Sequence, residues 1–195
     1  MSDVKYLTLK GKKQGLISAN CSTVDSIGNR YQTGHKDQIQ VLSLNYTRSR
    51  MQNSVHHPVL FIKPIDKSSP LLGVAISNNE LLDANFDFFR INQFGILEKY
   101  FEIKLSNATI VDFTQSSPES SNGYSIVSHE KILLRYESIS WNHICAGTSG
   151  YSINEQNIIW RFYKLLYVGN SIFFLDIGVV KVKTIALRQM MIQVI

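Results

Sequence analysis

Alternating apolar and polar residues dominate the first 145 positions of the chain and predict β-strands. Successive strand residues point to opposite faces of a sheet, so a period of two marks a half-buried strand. The clearest case is Leu97 to Leu105, in which one predicted face carries Leu97, Phe101, Ile103 and Leu105 and the other carries Glu98, Tyr100, Glu102 and Lys104. Val4 to Leu9, Leu82 to Phe88 and Ile132 to Trp141 show related patterns. This part of the chain is therefore predicted to be mainly β.

Interruptions of the alternation predict bulges and turns. The apolar phase slips between Val41 and Leu42, which is the pattern a β-bulge produces. Ser106-Asn107 predicts a turn that separates one strand from the next, Ile110 to Phe113. The polar stretch Ser116 to Gly123 contains a proline and predicts a surface loop.

One segment, at about residues 69–78, has the pattern of a short helix instead. Ser69 is a suitable N-cap and Pro70 suits the first helical position. Leu71, Leu72 and Ala75 lie on one stripe that can pack on a sheet. Many strands, one flanking helix and no βαβ rhythm predict a mainly β fold, either a β-barrel or a two-sheet sandwich with one short flanking α-helix.

A polar, unpatterned stretch from Thr47 to His57 predicts a long projecting loop. Loops of this length are often functional. Arg48, Arg50 and Met51 within it are residue types enriched at protein interfaces. The stretch is interpreted as a contact loop, the alternative being an ordinary solvated loop.

Composition and charge narrow the class of protein. The chain has 195 residues, of which 44% are hydrophobic and 18% charged, so it can bury a core of one domain with a short appendage. The net charge is +5, with +2 in residues 1–150 and +3 in residues 151–195. Lys10, Lys12 and Lys13 form the only tight basic cluster, and no nucleic-acid partner is predicted. The first residues lack the apolar stretch of a Sec signal peptide, so any export is expected to use another route.

The histidines and cysteines do not form a recognisable catalytic or metal-binding pattern. His56 and His57 are adjacent and point to opposite faces of a strand, which disfavours a shared metal ion. His143 and Cys145 are expected to share a strand face, but no oxyanion loop or activating motif accompanies them. Cys21 is the other cysteine, and two cysteines fit a reduced compartment. We expect no metal, no cofactor and no enzymatic activity.

The order and spacing of several short motifs resemble the Hcp family of type VI secretion proteins over residues 1 to about 150. No single motif is specific, but the ordered set is. The matching stretches are Tyr6–Gly11, Gln14–Ser18, Asp25–Gly28, His56–Pro58, Ile65–Leu72, Leu105–Val111, Ile139–His143 and Ala146–Gly150.

The resemblance implies a tube-forming structural protein. Family members form six-membered rings that stack into a hollow tube, and a contractile sheath drives the tube, tipped by a VgrG spike protein, into a neighbouring cell. The tube lumen carries small effectors. The resemblance therefore implies a cytoplasmic protein that is secreted on firing, with itself, the spike, the sheath and effectors as partners. Head-to-tail contacts of the predicted contact loop are compatible with an open filament of rings.

Residues 151–195 depart from the family, whose members usually end soon after the Gly147–Gly150 motif. The domains are accordingly predicted as 1–150, an Hcp-like tube-forming domain, and 151–195, an apolar C-terminal extension. Its most apolar window, Leu165 to Val180, contains Asn170 and Asp176 and is shorter than the ~20 residues that a membrane helix needs.

Three other interpretations of this extension remain. A β-hairpin turning at Gly169-Asn170 fits the local pattern best. The extension can also be a fused effector that acts on target-cell membranes, or a non-functional addition. A hairpin or an idle extension ranks ahead of an effector, and any membrane contact is expected through this segment alone.

Overall fold

The computed structural model of the chain describes residues 4–50, 54–117 and 128–154. These residues lie in one compact unit, Met1–Ile159. Most of the predicted Ser116–Gly123 loop and nearly all of the predicted extension 151–195 lie outside the described residues. The predicted domain division stays a prediction.

Strands dominate the described residues, as the alternation predicts. The first six strands are β1 (Val4–Gly11), β2 (Gly15–Leu16), β3 (Ile39–Val41), β4 (Ser43–Asn45), β5 (Arg48–Arg50) and β6 (Ser54–His56). The other six are β7 (Val59–Pro64), β8 (Leu82–Ile91), β9 (Leu97–Ser116), β10 (His129–Arg135), β11 (Ser138–His143) and β12 (Thr148–Ile153). The helices are α1 (Val24–Ile27), a 3-10 turn (Gly28–Arg30) and α2 (Ser69–Ser77).

Ten strands form one hydrogen-bonded sheet, and β5 and β6 form a separate pair. The main path runs β2-β1-β8-β9-β10-β7-β4, with β3 on β1, β11 on β9 and β12 on β11. Its strand pairs are antiparallel. In this order β7 and β8 are separated by two strands.

The sheet folds over on itself and encloses the core. Phe61 on β7 and Phe86 on β8 are fully buried, and their rings meet edge-on at 5.5 Å. Leu72 and Ala75 of α2 join the same core. This arrangement confirms the predicted fold class, a barrel-like two-layer β fold with one short flanking helix.

The chain crosses between the two halves of the sheet at Leu42. β3 pairs with β1, whereas β4 pairs with β7, and only Leu42 stands between them. The Leu42 amide donates to the Ile62 carbonyl at 2.8 Å. The phase slip in the sequence therefore marks a change of strand partner and not the predicted bulge.

A single strand, β9, replaces the two strands predicted around Ser106-Asn107. Asn107 has φ +49°, so the strand bends there without ending. Its amide donates to Asp83 Oδ1 at 3.3 Å and its side chain donates to Glu137 Oε2 at 2.8 Å. These two carboxylates stabilise the bend, and β9 passes from its pairing with β8 and β11 to its pairing with β10.

The predicted helix forms at Ser69–Ser77, but its N-cap differs from the prediction. The N-cap of α2 is Ser68, whose side chain makes no capping hydrogen bond. Ser69 Oγ accepts a hydrogen bond from the Asp66 amide at 3.1 Å and donates to Glu130 Oε2 at 2.9 Å. The prediction that Ser69 caps the helix is wrong, because its hydroxyl is held by a buried carboxylate of β10.

Candidate assembly site at the β5–β6 hairpin

The predicted contact loop is a β-hairpin formed by β5 and β6. Arg48 pairs with His56 and Arg50 pairs with Ser54 in the antiparallel register. The prediction of an unpatterned loop is wrong at this point. Its residues lack apolar alternation because the pair belongs to a two-stranded sheet outside the main one, so neither face needs a continuous apolar stripe.

Arg48 attaches the hairpin to the β11–β12 pair of its own chain. Its Nε donates to Ser54 Oγ at 2.8 Å, and its Nη2 donates to Ser152 Oγ at 3.0 Å. The guanidinium also lies 5.6 Å from the centre of the Trp141 ring, a cation–π geometry. Arg48 therefore orients the hairpin within the subunit.

His56 makes the second attachment, and it is buried. Its Nδ1 lies 3.0 Å from Tyr136 Oη and its Nε2 lies 3.1 Å from Ser152 Oγ. Only 7% of His56 is exposed, and Tyr136 is almost fully buried. The hairpin thus contacts the segment between β10 and β11 as well as β12.

Burial sets the electrostatics of this attachment. Desolvation, followed by the positive charge of Arg48, lowers the pKa of His56 from its ordinary value. Burial likewise raises the pKa of Tyr136 above its ordinary value. Both side chains are therefore favoured in their neutral forms, which suits a hydrogen-bonded contact between hydroxyl and imidazole groups.

Arg50 and His57 lie on opposite faces of the hairpin, because Arg50 shares the face of Arg48 and His56, whereas His57 directly follows His56. Both side chains are exposed, and His57 Nε2 lies 3.0 Å from Ser49 Oγ. Of the three predicted contact residues, Arg48 is engaged within the chain, Arg50 is exposed and Met51 lies outside the described residues. Their role in contacts between subunits stays a prediction.

Sequence reasoning missed Tyr136 and Ser152 as supports of this site. They lie 80 and 96 positions from His56, respectively. Neither belongs to a motif with known chemistry, and no local pattern links them to the hairpin. Only the pairing of β12 with β11, and of β11 with β9, brings them together.

The cysteines and His143 lie in different environments. Both cysteines are free thiols; Cys21 is buried and Cys145 is exposed. Burial, followed by the charge of Asp66, raises the pKa of Cys21 to about 12, so it is not an activated nucleophile. β11 ends at His143, and Cys145 lies in the following turn. The expectation that these two residues share a strand face is therefore wrong.

Neither a metal-binding cluster nor a membrane-spanning helix is found among the described residues. Residues 4–50, 54–117 and 128–154 contain no cluster of three or more His, Cys, Asp or Glu placed to hold a metal ion. Among the same residues, no helix is long and apolar enough to cross a bilayer.

Comparison with known proteins gives consistent matches. The family model described as "Type VI secretion system effector, Hcp" matches residues 6–143. The "Major exported protein" of Pseudomonas aeruginosa is 35% identical over 163 residues, which cover 77% of this chain and 94% of that protein. "Uncharacterized protein YhhZ" of Escherichia coli K12 is 40% identical over 173 residues. This match covers 88% of the chain but 42% of the E. coli protein, so the chain spans less than half the length of that relative.

Solved structures show the same relationship in three dimensions. The secreted protein Hcp3 from Pseudomonas aeruginosa superposes with a TM-score of 0.71 at 35% sequence identity. A crystal structure described as an Hcp protein superposes with a TM-score of 0.74 at 30% identity. Each match covers 78% of this chain and 98% of the solved one. The chain therefore belongs to the Hcp family of type VI secretion system proteins.

Proposed function

We propose that this chain is the structural subunit of a type VI secretion tube, in which six-membered rings stack head to tail around a hollow lumen. The observation that supports the proposal most is the match to Hcp structures over 98% of their length. Within this proposal the subunit has a mechanical rather than a catalytic role. Its partners are other copies of itself, a VgrG spike, the contractile sheath and small effectors in the lumen.

The proposed route out of the cell follows from the same relationship. A relative is named a major exported protein. We infer that the chain is cytoplasmic until the apparatus fires and is then delivered to the medium or to a target cell without a Sec signal peptide. Export that depends on an intact type VI apparatus, measured by comparing culture supernatants, tests this inference.

Ring formation is expected for the purified full chain and for a chain truncated after Ile159. A cut at Gly150 would divide β12, which pairs with β11 through Ile153. Light scattering should give the mass of six subunits, and negative-stain images should show a ring with a central hole. A monomer at tens of micromolar for both chains would contradict the proposal.

Arg50, an exposed arginine of the hairpin, is expected to contribute to ring stacking. Arg50→Ala should weaken each subunit–subunit contact between rings by about 1–2 kcal/mol, because interface arginines are frequent hot spots. Six equivalent contacts would multiply the effect, so sedimentation should show single rings where the unmodified chain shows stacks. Arg30→Ala, an exposed arginine on the 3-10 turn, is the matched control. Equal stacking by both variants would contradict a contact role for Arg50.

A second candidate is a fused effector, in which residues 151–195 act on target membranes and the ring domain delivers them. The E. coli relative supports this candidate, because the matched region is only 42% of that protein, which therefore carries additional sequence outside the matched region. Truncation after Ile159 separates the two functions. Retained rings and export without the extension support a purely structural role. Lysis of target cells by the full chain but not by the truncated one would support the effector.

A further inference from the structure

His56 lies where a change of charge would act directly on the hairpin. It is the last residue of β6 and pairs across the hairpin with Arg48. Its ring is buried against Tyr136, with the ring centres 5.6 Å apart. Both nitrogens have partners outside the hairpin, Tyr136 Oη and Ser152 Oγ. The protonation state of the His56 imidazole therefore affects the attachment of β6 to the rest of the subunit.

Hydrogen-bond chemistry favours the neutral imidazole in this position. The Arg48 guanidinium can only donate, so Ser152 Oγ accepts from Arg48 Nη2. The Ser152 hydroxyl proton is then free to point at His56 Nε2, and Nδ1–H donates to Tyr136 Oη. In this arrangement each nitrogen of a neutral ring has a complementary partner.

Protonation disrupts that arrangement. A charged imidazole donates through both nitrogens, so Ser152 Oγ would have to accept from two cationic groups at once, Arg48 and His56. The charge would also be desolvated, because His56 is only 7% exposed. In the described part of the chain no carboxylate is among the hydrogen-bond partners of His56 to offset it.

Three side chains face His56, of which two, Arg48 and Tyr136, are charged or titratable. Arg48 lies opposite it on β5, and Tyr136 lies between β10 and β11. β12 contributes the uncharged Ser152. Of these, Arg48 carries charge at neutral pH and opposes a second positive charge, whereas Tyr136 is neutral.

We propose that His56 is a pH-sensitive positioning residue, which holds the β5–β6 hairpin against the subunit when neutral and releases it in acid. The sign follows from the depressed pKa of the folded state. The stabilisation is complete above the ordinary value of 6.5 and is lost as the pH falls through the lower folded value. If the hairpin contacts the next ring, as the proposed function holds, acid would also loosen ring stacking.

Hydrogen exchange of the full chain tests the release directly. Protection of β5 and β6 amides, corrected for the intrinsic pH dependence of exchange, should fall several-fold between about pH 7.5 and about pH 5, whereas amides of β8 should change little. His56→Gln should make hairpin protection independent of pH over this range. His57→Gln is the matched control, an adjacent but exposed histidine on the same hairpin, and it should keep the unmodified response.

A titration of the histidine rings by NMR keeps the proposal testable if His56→Gln does not fold. In the unmodified chain, the midpoint of hairpin release should coincide with the titration of His56. Coincidence with another histidine, pH-independent protection, or loss of the response in His57→Gln would overturn the proposal. Sedimentation at the same pH values separates the two hypotheses: a hairpin that is released without any change in stacking supports the role of His56 and contradicts the stacking role of the hairpin.

Discussion

Replacing Lys63 with methionine is expected to destabilise the domain by about 3–5 kcal/mol, because the substitution leaves buried carboxylates without their cation. Lys63 Nζ lies 2.9 Å from Asp66 Oδ1 and 2.6 Å from Glu130 Oε2. The side chains of all three residues have no exposed surface. Lys63 Nζ also donates to the Pro64 carbonyl at 2.9 Å. Urea denaturation measures the change in the free energy of unfolding, provided that the variant keeps the same dependence of this free energy on urea concentration (the m-value).

The surface pair Lys12–Asp83 provides the matched control. Its separation is the same 2.9 Å, but its side chains are 52% and 42% exposed. Exposed pairs of this kind contribute about 0–1 kcal/mol, so Lys12→Met should have little effect. A cost below about 1 kcal/mol for Lys63→Met would mean that the buried carboxylates do not depend on the ammonium group.

A double substitution distinguishes loss of a cation from loss of packing. The buried cluster contains one ammonium group, Lys63, and two carboxylates, Asp66 and Glu130. Glu130→Leu removes one of these two carboxylates. Asp66 keeps the hydrogen bonds from the Ser68 amide at 2.8 Å and from the Ser68 hydroxyl. The double variant Lys63→Met, Glu130→Leu should therefore be more stable than Lys63→Met alone. Additive losses would show that the charges do not interact.

Phe61→Ala is expected to cost about 3–5 kcal/mol, through lost burial and the cavity left behind. Phe61 is fully buried and meets the equally buried Phe86 across the core. This contact joins β7 to β8, two strands that do not pair with each other. The loss should therefore appear as lower stability of the whole domain, measured by the same urea transition.

An exposed phenylalanine and a double-mutant cycle serve as controls for Phe61. Phe94 is 76% exposed at the turn between β8 and β9, so Phe94→Ala should change stability by less than about 0.5 kcal/mol. Phe61→Ala and Phe86→Ala should not be additive, with a coupling of about 0.5–1.5 kcal/mol from the aromatic pair. Strict additivity would mean that the two rings do not contact each other in solution.

Local patterns predicted the elements that have one buried and one exposed face. Leu82, Ala84 and Phe86 are buried as their alternation required, and Leu72 and Ala75 bury the predicted helical stripe. These predictions succeeded because the residues on the buried face of a strand or helix recur at a fixed spacing, so the local sequence shows which face is buried. The ordered family motifs also indicated the Hcp relationship, which the matches to known proteins confirm.

The same reasoning failed where a residue's environment comes from distant parts of the chain. Lys63 is a charged residue in an apolar segment, and its burial depends on carboxylates from elsewhere, Glu130 on the neighbouring β10 and Asp66 after β7. Ser69 has the sequence context of a helix cap, yet Glu130 holds its hydroxyl. Asn107 has the composition of a turn, but flanking carboxylates hold it inside one long strand.

By itself, the sequence determined the β-rich class, the position of the one clear helix and the family, because each is recorded in short-range spacing or in the order of motifs. Only the tertiary structure decided that residues 48–56 form a hairpin and that His56 contacts Tyr136 and Ser152. The physical reason is distance along the chain. A contact between residues 80 or 96 positions apart leaves no periodic signal in either segment, and forms only when the sheet brings β12 and the β10–β11 connection beside the hairpin.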